Sequence, residues 1–205
     1  MSAEDGRSRA GRGRRWMLVA AGALAAGGAL TACSSNSSAS NTTTAPPPVT
    51  VHLATVVMDG GMVNHSGWPM YQPSDMTVPK GATVDMTIYS YDTGTAPLPA
   101  NMAIYTKAAG VTDLTEGGQP VTTVAASDVA HTFTVPQLGI NVPFGVAPTA
   151  AANSEQKPLV VTFTFTASKS GTFTWKCMAP CGSGSDGMGG PMATMGYMEG
   201  TLTVA

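Results

Sequence analysis

Apolar residues recur at every second position through several stretches of this chain. Val84, Met86 and Ile88 alternate with Asp85, Thr87 and Tyr89, and Val161, Phe163 and Phe165 alternate with Thr162, Thr164 and Thr166. The same spacing joins His131, Phe133 and Val135, then Phe173, Trp175 and Cys177, and finally Met198, Gly200, Leu202 and Val204. A period of two puts these side chains on one face of a β-strand, whereas on a helix they would be scattered around the axis. Turn residues separate the runs, as in Pro79-Lys80-Gly81 and Ser168-Lys169-Ser170-Gly171. Further strands are expected over residues 49–58 and 101–107, with a turn between two strands over residues 76–84. The one hint of helix is a single turn over residues 148–156. Many short strands with punctuating turns predict an all-β sandwich or barrel.

The first residues read differently. Arg7, Arg9, Arg12, Arg14 and Arg15 precede an uncharged apolar stretch, residues 16–30. That stretch is shorter than the roughly 20 residues of a membrane-spanning helix but suits the apolar region of a signal peptide. It ends in Leu30-Thr31-Ala32-Cys33, which resembles the lipobox of bacterial lipoproteins. The resemblance implies a signal peptide over residues 1–32, lipidation of Cys33 and a cell-membrane location on the extracytoplasmic face, anchored by lipid. Arg14-Arg15 leaves general or twin-arginine export open. Residues 33–48, rich in Ser and Thr and closing with Pro46, Pro47 and Pro48, read as a tether that cannot bury enough apolar surface to order itself. Residues 49–205 then form one domain of ordinary size.

After Cys33 the chain has no arginine; its five lysines stand against ten acidic residues, a net charge of −5. Such a surface is a poor match for nucleic acid. No nucleophile elbow, phosphate loop or zinc-protease helix motif is present, so no catalytic residue is assigned.

Phase and position single out a few side chains. His131, Cys177 and Met198 each share the apolar face of a strand and lie at a strand end, so a sandwich can bring them to one pole. Cys181 follows Cys177 by four residues, and five of the 13 methionines lie between residues 178 and 198. Thiolate, thioether and imidazole suit copper better than calcium or magnesium, and zinc rarely takes methionine. Outside the cytoplasm two nearby cysteines also form disulfides readily, so Cys177 and Cys181 are either metal ligands or a disulfide pair. Met76, Met86 and Met102 read as core filling, and His52 and His65 as surface residues.

Three segments resemble a known family. DVAHTFTVPQLG, residues 128–139, and FTWKC, residues 173–177, with Cys181 at Cys-x3-Cys spacing, resemble the copper-binding domain of cytochrome c oxidase subunit II. GYMEGTLTV, residues 196–204, resembles the closing strand of cupredoxins, and PKGATV, residues 79–84, their early turn. The resemblance implies a cupredoxin-like Greek-key β-sandwich with copper at one end. It departs from the subunit II pattern in having no histidine after His131; the position three before Met198 is Met195. A binuclear copper centre normally needs that second histidine; the other arrangement is a mononuclear, sulfur-rich site drawn from His131, Cys177, Cys181 and Met198 with Met195 or Met192, and the sequence leaves the choice between the two open.

The function expected is an extracytoplasmic, membrane-anchored copper-binding protein. It would serve electron transfer or copper handling, with a respiratory-chain or copper-trafficking protein as partner. The alternative is a metal-free sandwich, closed by a Cys177–Cys181 disulfide, acting as a surface binding or structural module.

Overall fold

Among the described residues the chain forms eleven strands in two sheets. The computed structural model describes residues 49–59 and 67–205. The expected signal peptide, Cys33, the tether and His65 lie outside them. The strands are β1 (Thr50–Met58), β2 (Met70–Gln72), β3 (Asp75–Val78), β4 (Thr83–Ser90), β5 (Thr112–Glu116), β6 (Gln119–Pro120), β7 (His131–Val135), β8 (Ile140–Phe144), β9 (Leu159–Thr166), β10 (Gly171–Lys176) and β11 (Glu199–Val204). One sheet has the order β2-β1-β4-β9-β5-β6 and the other β3-β11-β10-β7-β8. β1 pairs parallel with β4 and β3 with β11, while the other neighbours are antiparallel. The chain crosses between sheets repeatedly, so this is a sandwich and not a meander.

The inward phase matches the alternation. Val84, Met86, Ile88, Val161, Phe163, Phe165, Phe173, Trp175, Leu202 and Val204 are all buried. Their burial supplies the main stabilisation, at roughly 1.5–3 kcal/mol for each large apolar side chain. Aromatic rings knit the layers together. Phe133 on β7 lies 6.0 Å from Phe163 on β9 in the other sheet and stacks on Trp175 at 5.4 Å. Tyr71 on β2 packs on Trp175 at 4.6 Å.

Two expectations are corrected. The segment expected as a strand over residues 101–107 is a 3-10 helix, Ala100–Thr106. Pro99 enters it with a fixed φ of −68°, and its carbonyl accepts the Met102 N–H at 2.8 Å, so the chain winds where the apolar pattern alone would extend it. Ile104 on this turn is 73% exposed. The hint of helix over residues 148–156 is only a turn, closed by Ser154 N–H to the Ala151 carbonyl at 3.0 Å.

The same 3-10 segment, with the chain that follows it, explains why every residue of β7 and β8 is buried, Thr132 and Thr134 included. It lies over the outer side of these strands, with Ala109 and Asn141 exchanging backbone hydrogen bonds at 2.9 and 3.0 Å. Asn141 Nδ2 donates to the carbonyls of Tyr105 (3.1 Å) and Lys107 (2.7 Å). Asn141 Oδ1 accepts from Thr134 Oγ1 at 2.7 Å, so the Thr134 hydroxyl in turn accepts from Thr132 Oγ1 at 2.8 Å.

Gly200 marks the tightest inward position of β11. A Cβ there would collide with the Ser74 carbonyl and stand 2.8 Å from Trp175 Nε1, which donates to that carbonyl at 2.7 Å. Gly200→Ala is expected to destabilise the domain by about 1–3 kcal/mol through overpacking, measured as a lower denaturant midpoint with unchanged slope.

Candidate metal centre

The pole of the second sheet is where the reactive side chains meet. β7 begins at His131, β10 ends one residue before Cys177, and β11 begins one residue after Met198. β10 runs antiparallel to both β7 and β11, so the start of β7, the end of β10 and the start of β11 share one end of the sandwich. The Cys177 N–H donates to the Met198 carbonyl at 2.8 Å, fastening the two strand ends together.

His131, Cys177 and Cys181 form a cluster whose donor atoms all lie within 4.8 Å of one another. Cys177 Sγ is 4.0 Å from His131 Nδ1 and 3.4 Å from Cys181 Sγ. The two cysteines are free thiols in this structure, so the disulfide alternative is not the arrangement found. Cys181 Sγ is 3.2 Å from Met192 Sδ. Met192 sits on the 3-10 turn Gly190–Ala193 and is fully buried. Its approach depends on Gly182, where a Cβ would stand 2.6 Å from Met192 Cγ.

The methionines expected at the site divide. Met198 is fully buried at the head of β11, while Met195 is 53% exposed; Met192 is the one whose sulfur touches Cys181. His52 stands apart, its side chain 80% exposed and facing Asp85 at 3.5 Å.

Two residues that sequence reasoning did not select complete the surroundings. Asp92, in the loop after β4, places Oδ2 2.9 Å from His131 Nε2. Its Oδ1 accepts the Gly94 N–H at 2.8 Å, an Asx turn whose only sequence signal is Asp-x-Gly just past the end of an alternating run. Tyr71, fully buried, donates its hydroxyl to the Thr132 carbonyl at 3.1 Å. The cysteine loop is also tied to β7, with Thr132 N–H donating to Cys177 Sγ (3.3 Å) and Met178 N–H to Thr132 Oγ1 (2.8 Å).

The charges follow from these contacts. Burial opposes a thiolate at Cys177, but the Cys181 thiol, the His131 ring and the Thr132 N–H all stabilise it, and its pKa falls well below the ordinary thiol value. Cys181 moves the opposite way, pushed well up by its hydrogen bond to Cys177, by burial and by the neighbouring negative charge. Burial lowers His131, yet the hydrogen bonds to Asp92 and Cys177 and the charges of both raise it to about 9. Burial raises Asp92, while the His131 hydrogen bond and charge and the Gly94 N–H outweigh it and leave its pKa lowered. Burial first, then the charges of Cys177 and Cys181, drive Tyr71 well up. These shifts favour a Cys177 thiolate beside a His131 imidazolium held by the Asp92 carboxylate.

One imidazole, two cysteine sulfurs and an adjoining thioether form a donor set that fits copper, and it offers none of the oxygen ligands that calcium or magnesium require. Solvent reaches this pole through a cavity of about 290 Å³ lined by Asp59, Asp92, Thr95, Pro180 and Cys181 among others.

No protein-family model and no curated protein matches the sequence. Among solved structures the fold is similar to rusticyanin from Thiobacillus ferrooxidans, at 18% identity over 76% of this chain and 77% of that one, TM-score 0.35. Reduced rusticyanin aligns at 19% identity over 76% and 79%, TM-score 0.36. A copper-containing nitrite reductase from Thermus scotoductus SA-01 aligns at 17% identity over 76% of this chain but only 28% of its own length, TM-score 0.34. Matches this remote place no ligand and no activity on this chain.

Proposed function

We propose that this protein is a cupredoxin-like copper protein, held by a lipid on Cys33 at the outer face of the cell membrane. It would carry one copper in a site that favours Cu(I). The observation that carries this reading is the cluster of His131, Cys177 and Cys181 donors within 4.8 Å, with His131 and Cys177 wholly buried. A sulfur-rich set with a single imidazole stabilises the softer oxidation state. The apolar packing around Cys177 limits rearrangement when the metal changes charge. Such a site suits one-electron transfer or the keeping and passing on of Cu(I), beside a respiratory-chain or copper-trafficking partner.

Reconstitution with copper tests this directly. About one copper per chain is expected, with intense thiolate-to-copper absorption on oxidation. His131→Ala and Cys177→Ser should each weaken Cu(I) binding by more than about 100-fold, since even residues that only support a ligand are worth 10–100-fold. Tight Cu(I) binding without a reversible absorption change would assign copper handling over electron transfer. No bound copper would refute the reading.

Protons compete with the metal for these ligands. His131 is protonated below about 9, so copper must displace its Nδ1 proton at neutral pH, whereas the Cys177 thiolate carries none. Cys181, still a thiol, would give up a second proton if it binds. Apparent affinity is therefore expected to rise with pH, levelling off above about 9 if Cys181 stays out of the site and rising further if it enters. The slope is about tenfold per pH unit for each proton displaced. Calorimetry in buffers of different ionisation enthalpy counts those protons: one if Cys181 stays out of the coordination sphere, two if it enters.

For the anchor, Cys33→Ser should move the exported protein from the membrane to the soluble fraction. Retention in the membrane would refute lipid anchoring.

A further inference from the structure

Among the described residues His131 supplies the only imidazole of the cluster, so its orientation has no substitute. Its ring has two nitrogens with different neighbours. Nδ1 faces Cys177 Sγ at 4.0 Å, and Nε2 faces Asp92 Oδ2 at 2.9 Å. We propose that Asp92 is a positioning residue for the copper centre: its carboxylate holds the Nε2–H of His131 and so presents Nδ1, on the Cys177 side, as the metal ligand. The inference rests on the copper reading above.

The carboxylate is itself held. Oδ1 accepts the Gly94 N–H at 2.8 Å, and the Asp92 carbonyl accepts the Ala147 N–H at 2.8 Å, so both side chain and backbone are tied down. A Cβ on Gly94 would lie 3.2 Å from Oδ1, so a residue with a side chain there would crowd the carboxylate. On the histidine side, the ring lies beside Phe144 at 5.8 Å, and its side chain is 1% exposed against 17% for Asp92. An acceptor aimed at one imidazole nitrogen selects the tautomer that leaves the lone pair on the other, and it strengthens that nitrogen as a donor to metal. A negative charge at this distance also favours the more highly charged metal ion.

The chain has three histidines, so 15N-histidine labelling gives three ring signals to assign. In the metal-free full chain in detergent, a slowly exchanging, hydrogen-bonded Nε2 proton on His131 is expected. Asp92→Ala should abolish that protected signal, weaken Cu(I) binding by about 10–100-fold and raise the reduction potential of the copper site. Asp92→Glu should restore much of the affinity, which general loosening of the fold would not allow. If Asp92→Ala leaves the His131 signal unchanged and Cu(I) affinity within about twofold, this inference is overturned while the copper reading stands. If the wild-type chain binds no Cu(I), the copper reading falls and the positioning role falls with it.

Discussion

The antiparallel run of β7, β10 and β11 is the constraint on which the rest of this molecule depends. Reversing direction at each step brings the first residue of β7, the residue after β10 and the residue before β11 to one pole. Each then projects from the apolar face of its strand. The aromatic packing of Phe133, Trp175 and Tyr71 lies directly along these strands and fixes their spacing. A shift of one residue in any of the three would turn its reactive side chain to the opposite face of the sheet, away from the other two.

The pole is costly to build, because it buries ionisable groups. The structure offsets that cost by pairing. Cys177, His131 and Asp92 pair in series with charges that alternate in sign, and Cys177 and Asp92 each accept a backbone N–H besides, from Thr132 and Gly94. An unpaired charge there would be expelled or neutralised. The chain Met178–Thr132–Thr134–Asn141 carries the same principle outward, since each hydroxyl accepts one hydrogen bond and donates the next. It ends on two carbonyls of the 3-10 segment and its exit, so the cysteine loop and the cover over β7 and β8 hold each other in place.

Local pattern carried much of this. Alternation identified the buried faces of β4, β9, β10 and β11, because a strand's side-chain period is a property of neighbours in sequence. It also placed His131 and Cys177 inward, and both are fully buried. It misled at residues 101–107, where Pro99 starts a 3-10 turn that hydrogen bonds to a different layer stabilise. It missed Asp92, which sits 39 residues from the histidine it touches. Spacing from Met198 pointed to Met195, yet the 3-10 turn Gly190–Ala193 rotates Met192 inward and leaves Met195 half exposed.

By itself, then, the sequence determined that this chain makes a β-sandwich, that it is acidic outside its first residues, and which histidine and cysteines face inward. Those properties follow from composition and from interactions along a few consecutive residues. Only the tertiary structure decided that the two cysteines stand as free thiols beside the imidazole, which methionine meets them, and which carboxylate holds the ring. Each of these depends on the distance between residues from different strands and loops, set by sheet order and by the close packing that glycines such as Gly182 permit, and no local pattern encodes such a distance.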